Sequence, residues 1–128
     1  MSLCLAAAGA VLSIAATDFS LSWMHSVEKT EWREIWRVAP DGLVLEEAAV
    51  HGSGSGMEPP PEARLVEGFY RWKPEAAPVP EIVLRRAPQV GDWTLCAAGR
   101  CADLGEWIGR DADPVTLRAC PDPRAPVR

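Results

Sequence analysis

The chain lacks an excess of basic residues. Thirteen Lys and Arg stand against eighteen Asp and Glu, a net charge of −5. Binders of nucleic acid and of anionic membranes gather cations on one face, so neither class is expected. Local pairs such as Arg85-Arg86 read as a solvated strand edge. The chain also lacks a membrane-length apolar run. Leu3 to Ala16 falls short of the roughly 20 residues that a spanning helix needs, and Gly9 interrupts it. No Lys or Arg precedes Lys29, whereas a secretory leader opens on basic residues. Ser13 and Ala15 do form a small-x-small pair of the export type. The missing cations favour two buried strands instead, 2–8 and 10–16, turning at Gly9. A cytoplasmic location is favoured on that ground, with a periplasmic one as the alternative.

Long helices are missing too. Twelve prolines and ten glycines in 128 residues cut the chain into short elements. A zinc site is not expected. The Cys96-x4-Cys101 spacing is only loosely metal-like, no second such pair exists, and neither histidine lies near a cysteine in sequence. The glycine-rich segment is not a phosphate loop, because no Gly-Lys-Ser/Thr follows it. No cofactor is expected.

What remains is a series of short alternating segments. Apolar residues make up 48% of the chain, enough for one domain with a real core. Strands are expected at 19–25, 31–38, 43–50, 63–66, 69–72, 82–86 and 93–97, with turns at Pro40-Asp41-Gly42, Glu67-Gly68, 89–92 and Gly99. Turns at this spacing suggest an all-β fold: a small antiparallel β-sandwich or barrel. The β domain is expected over 1–109, and 110–128 as a proline-rich, loosely ordered tail. Cys96 and Cys101 flank a hairpin turn and can form a disulfide in an oxidising compartment, and Cys4 and Cys120 can form a second. The other reading is four free, buried thiols.

The candidate functional residues cluster around one hairpin and one loop. Strand side chains alternate with period two. Phe19, Leu21, Trp23 and His25 therefore share a face, as do Trp32, Glu34, Trp36 and Val38. The simplest hairpin pairs Trp23 with Trp32, Leu21 with Glu34 and Phe19 with Trp36. His25 and Glu34 then lie about 13 Å apart at Cα, too far for a direct hydrogen bond. Ser26 points away from His25, which suits a turn role better than a nucleophile's. A buried Glu34 would need a partner; Arg64, Arg71, Arg85 or Arg86 are the candidates, unless its strand is an edge that reaches water. Gly52, Gly54 and Gly56 can offer backbone N–H groups to an anion, with His51 before them and Glu58 after. The six tryptophans suit a sandwich core or a ligand groove.

These residues also carry a resemblance. Phe19, Leu21, Trp23, His25, Ser26 and Val27 resemble the F-x-L-x-[YW]-x-H-S-V signature of the bacterial DUF 1850 family, and Glu34 matches an acidic position in its next strand. Residues 52–61 resemble its G-S-G-A-G-M-E-P-P-P loop, with Ser55 where alanine is usual. Gly91-Asp92-Trp93-Thr94-Leu95-Cys96 and Gly99-Arg100-Cys101 resemble its last hairpin. The resemblance covers about residues 3–104. It implies an accessory, ligand-binding or partner-binding component linked to a TRAP transporter of the TAXI type, with a transporter component or a small organic solute as partner. His25, Ser26, Glu34 and the glycine loop would be the binding residues. The alternatives are a small hydrolase using His25 with Glu34 or Ser26, and a purely structural domain.

Overall fold

In the computed structural model, residues 1–24, 30–51, 59–87 and 91–121 are described. The chain begins with a hairpin of β1 (Ser2–Ala7) and β2 (Ala10–Ile14), then β3 (Asp18–Met24), β4 (Glu31–Ala39) and β5 (Gly42–His51). A short hairpin follows, β6 (Arg64–Val66) with β7 (Phe69–Trp72), and then β8 (Ile82–Leu84). The last hairpin is β9 (Thr94–Ala97) with β10 (Arg100–Asp103); helix α1 (Leu104–Ile108) and strand β11 (Val115–Cys120) complete the order. The helix has a single turn's worth of residues, in keeping with the proline and glycine content.

The strands form two open antiparallel sheets. The smaller runs β2-β1-β11-β8 and the larger β10-β9-β3-β4-β5-β7-β6. Leu3, Leu5, Val115 and Leu117 from the first and Leu21, Leu43 and Leu95 from the second are all fully buried in one cluster. The two sheets therefore face each other across a shared core, as in a sandwich; with both sheets open, the fold is not a barrel. Three hairpins close through two-residue turns with positive φ at both positions: Ala8-Gly9, Glu67-Gly68 and Ala98-Gly99. Such turns match the right-handed twist of the strands they join.

Gly42 has a separate role. The isolated pairing of Leu43 with Val79 ties the proline-rich connection 73–80 to the start of β5, through Leu43 N–H to Val79 O at 2.8 Å and Val79 N–H to Leu43 O at 2.9 Å. A Cβ on Gly42 would lie 2.5 Å from Val79 O, and its φ is +136°. Only glycine admits that approach.

Two expectations are corrected here. Residues 115–120, read from the sequence as part of a tail, form a strand between β1 and β8. Val115, Leu117 and the partly buried Ala119 alternate inward, but flanking prolines hide that short period in the sequence. The β unit therefore runs through Cys120, and 122–128 lie outside the described residues. Arg86, read as part of a solvated edge, is largely enclosed. Its guanidinium forks onto Asp92 (Nε to Oδ1 3.0 Å, Nη2 to Oδ2 2.9 Å) and its Nη1 donates to Gly109 O and Ala112 O at 2.8 and 2.7 Å. Asp92 also accepts the Trp93 and Gly105 backbone N–H groups. Burial tends to raise the Asp92 carboxyl. The bonds from Arg86, Gly105 and Trp93 and the Arg86 charge outweigh it, and the net shift is downward. This clamp ties the end of β8 to α1 and to the approach to β11.

Two disulfides complete the frame, Cys4–Cys120 across β1 and β11 and Cys96–Cys101 across β9 and β10.

Arg86→Met leaves the Asp92 carboxylate enclosed without its cation. Side-chain exposures of 12% and 22% for the pair place the expected loss at about 2–4 kcal/mol, somewhat under the full cost of breaking a buried pair. Urea unfolding at neutral pH measures it, and a loss under about 0.5 kcal/mol would count against the clamp. The two disulfides should differ through their loop lengths. Replacing Cys4 and Cys120 by serine, a separation of 116 residues, should cost about 4–5 kcal/mol in the chain-entropy model. The Cys96 and Cys101 pair, a separation of 5, should cost about 2 kcal/mol. Equal losses in denaturant titrations would contradict that ordering.

Candidate functional site

The inner face of the larger sheet follows from strand parity. The pairing of β3 with β4 sets Phe19 opposite Trp36, Leu21 opposite Glu34 and Trp23 opposite Trp32. The pairing of β4 with β5 then sets Glu34 opposite Ala48 and Trp32 opposite Val50, and β7 adds Trp72 beside Ala48. A bulge between Ile35 and Trp36 keeps Leu43 and Leu45 on the same side as Ala48 and Val50 by absorbing one extra residue of β5.

The small sheet covers only part of this face. Phe19, Leu21, Trp36 and Val38 enter the shared core, whereas Trp23, Trp32 and Trp72 lie outside it and stay half-buried. They form a row with Trp93. Ring centroids are 4.7 Å apart for Trp93–Trp23, 6.1 Å for the stacked Trp23–Trp32 and 6.2 Å for the edge-on Trp32–Trp72. Aromatic pairs in such geometries add about 0.5–1.5 kcal/mol each beyond area burial. The sequence pointed to Trp23 and Trp32. It did not point to Trp72 and Trp93, which reach the row from other hairpins; their inward parity was the available signal.

Glu34 sits beside this row. Its strand is central, between β3 and β5, so the edge reading is corrected. None of the four arginines named from the sequence pairs with it. Arg71 pairs with Glu47 and Arg86 with Asp92, and among the described residues no ion pair includes Glu34. Its bond is from Trp36 Nε1–H to Oε1 at 3.1 Å. Burial pushes the Glu34 carboxyl above its ordinary value, and the Trp36 bond opposes that push.

The remaining sequence candidates fall elsewhere. His25, Ser26, Gly52, Gly54, Gly56 and Glu58 lie outside the described residues. Strand β3 ends at Met24, opposite Glu31, and β5 ends at His51, one residue past the Trp32 partner Val50. Both strands thus end at the same end of the sheet, where the tryptophan row lies. His51 itself is on the outer face, away from Glu34. It packs edge-on against Phe69 at 5.1 Å, and the Arg33 guanidinium lies 4.5 Å from the same ring.

That outer face holds a cavity of about 250 Å³ lined by Arg33, Ala49, Phe69 and Arg71 among others. Both of its cations are already engaged, Arg33 with Glu31 and Arg71 with Glu47. Among the described residues no group of three His, Cys, Asp or Glu side chains is arranged to hold a metal ion. No helix among them is long and apolar enough to cross a membrane.

The raised Glu34 carboxyl has a definite sign for stability. The charged form is the costlier one in the fold, so this contribution is most favourable below the unfolded carboxyl value, near pH 4.3. It weakens as pH rises through the higher folded value. Glu34→Gln retains an acceptor for the Trp36 N–H and removes the charge. The variant should exceed the parent in melting temperature at pH 7, and the gain should shrink towards zero as pH approaches 4. A gain independent of pH, or a loss at pH 7, would contradict the assignment.

No curated protein and no solved structure matches the chain. One family model does, over residues 19–104, the span that holds β3, β4, Glu34, the tryptophan row and the Cys96–Cys101 hairpin. The chain belongs to the family described as a domain of unknown function (DUF1850).

Proposed function

We propose that this protein is an accessory or binding component linked to a solute transporter of the TRAP-TAXI type, and that it meets its small organic solute or its partner on the aromatic inner face. One observation carries the reading. Three tryptophans of a four-membered row lie outside the sandwich core, half-buried, beside a carboxylate. The smaller sheet leaves these three rings partly open. Aromatic walls with a few placed polar groups are the usual composition of small-molecule sites. The transporter link rests on the family resemblance. The two disulfides support the periplasmic alternative for location over the cytoplasmic one, because such bonds persist in oxidising compartments.

A thermal-shift and tryptophan-fluorescence screen against small organic acids, amines and neutral solutes tests the binding role. A solute at a hundredfold excess over its dissociation constant should stabilise the fold by about 2.7 kcal/mol, and Trp32→Leu should lose the effect. Absence of any shift, together with failure of a TAXI transporter component to co-purify, would remove the support for this reading.

A further inference from the structure

The aromatic face leaves the chemical class of its ligand open, and the placement of charge on the two sides of the larger sheet narrows it. We propose that the ligand carries an organic ammonium group, which rests against the tryptophan row with Glu34 as its counter-charge. The proposal rests on the binding role argued above and names the class of molecule that the face would take.

Three observations converge on it. First, the row offers π-faces. The face of an aromatic ring is the negative end of its quadrupole, and indole binds a cation better than phenol or benzene does. Trp23, Trp32 and Trp72 stand outside the core with part of each surface open.

Second, the polar group built into that face is an acid. Glu34 lies between Trp32 and Trp36 on one strand, with the small Ala48 beside it and Trp72 one strand further on the same line. Its bond from Trp36 occupies Oε1. Among the described residues no ion pair supplies it with a positive charge. A half-buried carboxylate of that kind keeps a net attraction for a cation that can reach it.

Third, the arginines nearest in the sheet are committed to the opposite side. Arg33, Arg37 and Arg71 pair with Glu31, Glu46 and Glu47. Strand parity puts Arg33, Arg37 and Arg71 on the outer face, because Trp32, Glu34, Trp36 and Trp72 occupy the inner one. An anionic ligand on the inner face would meet Glu34 without a described arginine to offset the repulsion. An ammonium head meets both a counter-charge and a ring face. A bulky alkylated ammonium suits the surface best, since its methyl groups bury apolar area on the indoles while its charge stays diffuse.

The test uses the full chain and three probes: choline, its neutral carbon isostere, and acetate. Binding is read by tryptophan fluorescence and by calorimetry. Choline should bind saturably, and the neutral isostere at least about tenfold more weakly, because it lacks the charge-assisted and cation–π terms. Glu34→Gln should weaken choline by about tenfold or more and leave the isostere unchanged. That variant keeps an acceptor for Trp36, so it should fold, and circular dichroism checks that it does. Trp32→Leu should lose binding of choline. Equal affinity for choline and its isostere, tighter binding of acetate, or full choline affinity in Glu34→Gln would each overturn the proposal. If a neutral or anionic solute binds and Trp32→Leu abolishes it, the binding face stands and the ammonium class falls. If none of the probes and no solute of the wider screen binds, both fall together.

Discussion

Every inward residue of the larger sheet depends on the register in which β3 pairs with β4. Leu21 opposite Glu34 and Trp23 opposite Trp32 set which side chains face the smaller sheet and which end beyond it. A slip of one residue would turn Trp32, Glu34 and Trp36 outward, bring Arg33, Ile35 and Arg37 onto the inner face and set Arg37 in the shared core between the places of Trp36 and Val38. Burying that arginine without a partner would cost far more than the cross-strand contacts return. The register is thus held by the difference between the two faces, and not by the hairpin alone. The bulge at Ile35 and Trp36 preserves the same division on β5.

The second half of the sandwich is built from both ends of the chain. β1 and β11 lie side by side and bring Cys4 to Cys120. Leu5 pairs directly with Leu117, and both are fully buried. Such distant pairing carries a large loop-closure cost. Close apolar packing, the covalent bond and the Arg86–Asp92 clamp near the approach to β11 all offset it. The clamp is a charged pair in a largely enclosed place, tolerable because Asp92 and the Arg86 guanidinium are well supplied with partners.

The charge pattern follows from the same geometry. Salt bridges on the outer face of β4, β5 and β7 hold arginine against glutamate at exposed positions. Such exposed pairs contribute little stability, but they occupy the cations. Glu34 on the other face is left with an indole N–H. Among the described residues, the sheet thereby acquires one face of paired arginines and glutamates and one aromatic face on which Glu34 has no ion-pair partner.

Much of this was legible in the residues. The β3–β4 register, the turns at Gly9, Glu67-Gly68 and Gly99, and the sharing of one face by Trp32, Glu34 and Trp36 all came from alternation and turn chemistry. These are local properties, set by which side of a strand each side chain must take. The order of the strands was not legible. β4 is central, 115–120 enters the smaller sheet, Arg86 reaches the Gly109 and Ala112 carbonyls, and Trp72 and Trp93 join Trp23 and Trp32 across separate hairpins. Those facts arise from contacts between distant segments, which leave no periodicity in the chain. The sequence by itself determined which residues share a face. Only the tertiary structure decided which of those faces the second sheet would seal, because closure depends on how far β1 and β11 reach across the larger sheet.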